Sequence, residues 1–334
     1  MMRSSRLSTI AIAVTLVLAL ALAGSALAAD NYKGFPRGDS LITPQELKSM
    51  MDKEDPKLVI LAVAKPTLQY RKGHIPGSLN VWRPDYEPDV GNPWPYDGMI
   101  LNKAEFQEFA RNLGIDNDSK VVVYDHKYDA TRMWWAFYLY GKKDVRVLDG
   151  GYDAWVAAGY DVDRIFAEEA EKKGKFTASS PMPGWIAEIG DIWRAKTSPD
   201  MHVWDTRGDD EWTGAKTKGN STCGGRIPWA KQLNWPHFKQ KVNEDAGNPT
   251  EFKTAADIQK VIDEFGLKEG DHHIFYCQSG VRTTTEMFAL YLMGYDPATL
   301  HNYDGSWLEW SYHYCAQEDN SRAIDRATLV EKQK

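Results

Sequence analysis

The stretch Ile274-Phe275-Tyr276-Cys277-Gln278-Ser279-Gly280-Val281-Arg282-Thr283-Thr284 organises the reading of this chain. Ile274 to Tyr276 is an apolar run of the kind that forms a buried strand. Glu286 to Met293 has helical character and is closed by Gly294. Between them stand a cysteine, a glycine three positions on and an arginine five positions on. A tight strand-to-helix loop gathers backbone N–H groups at the positive end of the helix, where they meet an anion. Such surroundings favour thiolate over thiol and lower a cysteine pKa from ~8.5 into the range of roughly 3.5–7.5. Gly280 permits the turn, and Arg282 adds positive charge.

The same pattern of elements occurs earlier in the chain. Val121-Val122-Val123-Tyr124-Asp125 precedes His273-Ile274-Phe275-Tyr276-Cys277 by 152 positions, and Gly73-His74-Ile75-Pro76 precedes Gly225-Arg226-Ile227-Pro228 by the same 152. Leu113-Gly114-Ile115 matches Phe265-Gly266-Leu267, and Asp149-Gly150-Gly151-Tyr152 matches Asp304-Gly305-Ser306-Trp307. A period this long marks a duplicated domain, since solenoid repeats are far shorter. Within each half, short apolar strands alternate with helical stretches such as Lys103 to Asn112, Thr131 to Tyr140 and Ala255 to Glu264. That alternation predicts an α/β fold with a mainly parallel sheet. Arg83 to Gly98, rich in Pro, Asp and aromatics, reads as a loop.

The loop Cys277-Gln278-Ser279-Gly280-Val281-Arg282, with the paired Gly-x-Ile-Pro motifs, resembles the rhodanese family of sulfurtransferases, whose active loop follows Cys-x-x-Gly-x-Arg/Thr. The resemblance implies two tandem three-layer α/β domains and a persulfide carried on Cys277. It implies an anionic sulfur donor held by Gln278, Ser279, Gly280, Val281 and Arg282, with Arg207 and Arg226 as further candidates. It implies a thiophilic acceptor, or a protein that accepts sulfur or reduces the thiol, and no cofactor or metal. Cysteine phosphatases and arsenate reductases place five residues between Cys and Arg. The four here leave less room for a tetrahedral oxyanion and suit a single sulfur atom. Asp205-Thr206-Arg207 resembles the Asp-x-Arg that ends the first strand of active rhodanese domains, although an ion pair of Arg207 with Asp205 or Glu211 is the more ordinary account of it. Glu211 occupies the place of the substrate arginine of the thiosulfate and mercaptopyruvate enzymes, so that contact does not carry over. The first half has Asp125 where the second has Cys277. A carboxylate cannot carry sulfane sulfur, so the first half is read as a silent copy that covers the active one.

The chain has 334 residues, enough for two ordinary domains, with 43% apolar and 26% charged residues. A net charge of −7 argues against nucleic acid as partner. Residues 1–29 read as a signal peptide: Arg3 and Arg6, the apolar stretch Ile10 to Ala23, and Ala26-Leu27-Ala28 as cleavage signal. The expectation is a periplasmic protein with no membrane segment after cleavage. The expected domains are 30–167 and 186–334, joined by a breaker-rich linker, 168–185. Three cysteines, Cys223, Cys277 and Cys315, leave at least one unpaired. A Cys223–Cys315 disulfide and three separate thiols are both compatible with the sequence. His272 and His273, adjacent in a strand, face opposite ways and do not read as a metal pair.

Overall fold

The computed structural model describes residues 31–91 and 93–316; the expected signal peptide lies outside them. Five parallel strands build the first sheet: β1 (Leu41–Ile42), β2 (Leu58–Val63), β3 (Leu79–Val81), β4 (Lys120–Tyr124) and β5 (Val145–Leu148), in the order β1-β5-β4-β2-β3. The second sheet repeats it with β6 (Ile186–Ala187), β7 (Met201–Asp205), β8 (Lys231–Gln232), β11 (His272–Tyr276) and β12 (Leu300–Tyr303), in the order β6-β12-β11-β7-β8. A small antiparallel pair, β9 (Lys239–Gln240) and β10 (Glu251–Phe252), is added in the second half.

Each sheet is covered on both faces. Leu61, Val63, Val121 and Val123 pack into one apolar cluster, while their strand neighbours Ile60, Ala62, Val122 and Tyr124 pack into another. Phe275 likewise faces one cluster, and Ile274 and Tyr276 a second. Parallel strands buried on both sides read as continuous apolar runs, which is why Val121 to Tyr124 and Ile274 to Tyr276 stood out in the sequence. The product is two three-layer α/β units. The Gly-x-Ile-Pro repeat has a structural reason. Ile75 donates its N–H to the Tyr124 hydroxyl (3.0 Å), and Ile227 donates to that of Tyr276 (3.2 Å), tying the motif to the strand that carries Asp125 or Cys277.

The two central helices, α1 (Asp129–Leu139) and α2 (Thr283–Leu292), pack against each other between the halves. Thr131 and Thr284 share a hydroxyl hydrogen bond of 2.9 Å, and Trp134 packs on Phe288 and Tyr291 with ring centroids 4.6 and 5.0 Å apart. Helix α2 starts three residues before Glu286, where the sequence expectation began. Thr283, Thr284 and Thr285 have low helix propensity, yet all three are buried, and the Thr284 hydroxyl donates to the Val281 carbonyl at 2.7 Å. Tertiary packing overrides propensity there. Arg83 to Tyr86, expected as loop, forms one helical turn with Pro84 in its first turn. The 168–185 stretch is strapped to the first half by backbone bonds such as Phe176 N–H to Ile115 (2.9 Å) and Ser179 N–H to Tyr140 (2.9 Å). Among the described residues, no helix is long and apolar enough to cross a membrane.

Candidate active site

Cys277 follows β11 directly, at the carboxyl edge of the sheet where parallel α/β folds place their ligands. The carbonyls of Cys277, Gln278 and Gly280 are directed outward. The Cys277 and Gln278 oxygens accept from the N–H groups of Trp307 and Leu308, both at 3.1 Å, at the start of helix α3 (Ser306–Ser311). The Gly280 oxygen accepts from the side chains of Arg132 and Asn302, each at 3.1 Å. In a trans peptide the carbonyl and the next N–H point opposite ways, so this arrangement turns loop amides inward. Gly280 adopts a φ of +67°, and a Cβ there would lie 2.8 Å from the Asp304 carbonyl oxygen. Ser306, itself at a φ of +50°, accepts the Cys277 and Gly280 N–H groups on its hydroxyl at 3.1 and 2.9 Å.

The Cys277 side chain is buried beneath this loop, and burial alone would push its thiol up. The charge of Arg282 and the N–H groups of Ser279, Thr283 and Arg282 outweigh burial and hold the thiol below its ordinary range. Gly280 gives its N–H to Ser306, and Thr283, at the first turn of α2, contributes its own to the sulfur.

A cavity of about 210 Å³ opens above the sulfur. Cys277, Gln278, Ser279, Val281 and Arg282 line it, together with four residues that the sequence reading missed: Arg83 and Tyr128 from the first half, and Lys218 and Gly219 from the insertion 214–224. Nothing in the local sequence marks these four, because each reaches the cavity through the packing of distant segments. The cavity is below the size of drug-scale pockets and suits a small guest. A larger cleft of about 480 Å³ lies in the first half, far from the thiol in sequence, and its carboxylates Asp85, Glu105, Glu108, Glu168 and Glu169 repel anions.

The basic side chains at the mouth are oriented by acids. Arg282 makes a two-pronged ion pair with Glu211, at 2.7 and 2.9 Å, and Lys218 reaches the same carboxylate at 2.8 Å. One carboxylate thus faces two cations. Arg83 donates to Asp129 at 2.6 and 2.8 Å. Gln278 donates its amide to the Lys218 carbonyl at 2.7 Å and to the Ser221 hydroxyl, fastening the insertion to the loop.

Three of the expected donor-binding residues do not line the cavity: Gly280, whose N–H and carbonyl are taken by Ser306 and Arg132, and the arginines Arg207 and Arg226. Arg207 is fully buried, paired with Asp205 (2.9 and 2.6 Å) and bonded to the Gly225 carbonyl (2.7 Å), so its charge is spent inside the core. Arg226 lies over the Trp212 ring, 4.4 Å from its centroid, and does not line the cavity. Cys223 and Cys315 form a disulfide, leaving Cys277 as the free cysteine among the described residues. In the first half, Asp125 is buried and fills the equivalent cradle with its own carboxylate, accepting N–H groups from Lys127 (3.1 Å) and Ala130 (2.6 Å). His272 and His301 bond to each other at 2.8 Å, and among the described residues no His/Cys/Asp/Glu group is arranged to hold a metal.

Two repeated parallel-sheet units, one ending in a thiol held in an amide nest and the other in a carboxylate, define a tandem protein with a single cysteine loop. The chain belongs to the rhodanese family: the Rhodanese-like domain matches residues 43–158 and 189–313. It is 32% identical over 267 residues to a thiosulfate sulfurtransferase of Corynebacterium glutamicum, covering 76% of this chain and 82% of the relative. It is 30% identical over 276 residues to the sulfur carrier protein TtuD of Thermus thermophilus, covering 77% and 89%. The anaerobic ergothioneine biosynthesis enzyme of Chlorobium limicola shares the fold, with a TM-score of 0.69, 22% identity and coverage of 83% of this chain and 69% of that one.

Proposed function

We propose that this rhodanese-family sulfurtransferase moves sulfane sulfur from a small anionic donor such as thiosulfate to a thiophilic acceptor through a persulfide on Cys277. The Cys277 thiolate attacks the outer sulfur of thiosulfate, the S–S bond to the sulfonate breaks, and sulfite leaves with the electron pair. The persulfide anion rests in the loop, where Arg282 and the inward amides meet its charge. Cyanide or a thiolate then attacks the outer sulfur, forms thiocyanate or a new persulfide, and returns Cys277 as thiolate. This is covalent catalysis with electrostatic stabilisation.

The observation that carries the reading is the thiol held below its ordinary range at the floor of a cavity lined by three cations, Arg83, Lys218 and Arg282, that are paired with two carboxylates, Asp129 and Glu211. Lys218 and Arg282 would hold the donor's anionic end, with Gln278 and Ser279 beside them. The relative named as a thiosulfate sulfurtransferase supports the same donor. The experiment is steady-state turnover with thiosulfate and cyanide, 3-mercaptopyruvate and polysulfide as rival donors, and an aryl phosphate as the phosphatase test. Thiocyanate release from thiosulfate and no phosphate release is the expected result; the opposite pattern overturns the assignment. A second reading, a carrier handing sulfur to a specific protein, is favoured by the relative named as a sulfur carrier. It predicts a stable persulfide with negligible small-acceptor turnover.

Export to the periplasm by the segment 1–29 belongs to the same proposal. The Cys223–Cys315 disulfide supports an oxidising compartment, in which a thiol reductant would keep Cys277 working.

A further inference from the structure

Arg132 belongs to the silent half, yet it is spent on the active one. It sits on α1 with no exposed surface. Its Nη1 donates to the Gly280 carbonyl (3.1 Å) and to the Asp304 carboxylate, its Nη2 donates to the Gly98 carbonyl (3.0 Å), and its guanidinium lies 4.6 Å from the Trp135 ring centroid. We propose that Arg132 is a positioning residue through which the silent half holds the Cys277 loop with its amides turned toward the sulfur. The inference rests on Cys277 being the working thiol.

The internal repeat supplies the control. The halves are already latched by a reciprocal pair of backbone bonds: Ile100 N–H to the Asp304 carboxylate and Phe252 N–H to that of Asp149, both 2.8 Å. Ile100 and Phe252 are 152 positions apart, so this pair follows the duplication. The Thr131–Thr284 bond sets the register of the two central helices and makes Thr285 the counterpart of Arg132. Thr285 is buried and carries no charge. The symmetry-related Asp149 is served by Lys33 and Tyr32 from the start of the described chain. On the silent side the task is divided: Lys33 pairs with Asp149, and buried Lys239 donates to the loop carbonyl of Lys127 at 3.1 Å; among the described residues, one guanidinium joins aspartate and loop carbonyl on the side that bears the thiol.

One consequence follows for Cys277. Holding the Gly280 oxygen outward fixes the peptide plane that leads into Val281 and Arg282, and with it the aim of the following amides. The ion pair with Asp304, which is fully buried against Gly280, anchors the guanidinium that does this. A lysine cannot replace this function, since its single ammonium cannot span Gly280, Asp304 and Gly98 as the planar fork does.

The test is the pH dependence of Cys277 alkylation by iodoacetamide in the full chain with the disulfide intact, for wild type, Arg132→Lys and the double variant Arg132→Met/Asp304→Asn. The double variant leaves no unpaired buried charge. The expected result is an alkylation midpoint raised by about one pH unit in the double variant, tenfold less thiolate at any pH below it, with Arg132→Lys in between. A wild-type midpoint in the double variant overturns the proposal whatever happens to its melting temperature, because a latch between halves would change stability alone. If the double variant does not fold, an unmoved midpoint in Arg132→Lys overturns it. No sulfur donor enters this assay, so its outcome is separate from whether thiosulfate loads Cys277.

Discussion

Replacing Glu211 by Gln removes one charge and keeps the shape of the group that orients Arg282 and Lys218. Burial would push the Glu211 carboxyl up, but its bonds to Arg282 and Lys218 outweigh that and bring it down to about 2 from an ordinary 4.5. At 1.36 kcal/mol per unit, the difference corresponds to about 3 kcal/mol of folding stability. The folded-state value is the lower one, so this stability is present in full above about pH 4.5 and is lost as pH falls toward about 2. Thermal unfolding of wild type and Glu211→Gln across this range is the assay. Near neutral pH the variant should melt lower by roughly 6–12 °C, and the gap should close as the acid limit is approached. Its Cys277 alkylation midpoint should also fall, because the variant leaves Arg282 unneutralised beside the sulfur. A melting gap as wide at about pH 2 as at neutrality refutes the reasoning, since the pairing would then not depend on an ionised Glu211.

Other substitutions probe different parts of the site. Gly280→Ala forces a Cβ onto the Asp304 backbone at a positive φ; denaturant unfolding should show a loss of about 2–4 kcal/mol, and sulfur transfer should fall with it. Lys218→Gln should raise the KM for an anionic donor several-fold and change kcat little, read from steady-state kinetics. Cys223→Ser/Cys315→Ser opens a bridge that spans 92 positions; denaturant unfolding should show a loss of about 2–4 kcal/mol, and the freed insertion should raise donor KM as Lys218 loses its place.

The fold was legible where chemistry is local. The apolar runs of β4 and β11 and the 152-residue register named both sheets, and the Cys277-to-Arg282 spacing named the loop, because a strand, a turn and a helix start each leave a short-range signature. What could not be read was the assembly of distant segments. Arg83, Tyr128 and Arg132 meet the loop because the two halves pack together through α1 and α2, Lys218 meets it because the insertion 214–224 is fastened to Gln278 and Glu211, and no period or motif records either meeting. For Arg207 the sequence offered two readings, a substrate contact and an ion pair with a neighbouring acid; Asp205, two positions away, claims its charge, and the ion pair is what forms. Glu211, read as the place where a family substrate contact does not carry over, organises two of the three cations that line the cavity, Lys218 and Arg282. The disulfide was undecided because pairing of Cys223 with Cys315 depends on where the insertion folds.

The central claim is that sulfur travels on one side chain. Intact-protein mass spectrometry before and after thiosulfate, on wild type and Cys277→Ser, tests it directly. The account predicts a gain of one sulfur atom in wild type, its removal by cyanide, and no gain in the variant. An unchanged wild-type mass, or an equal gain in Cys277→Ser, contradicts it.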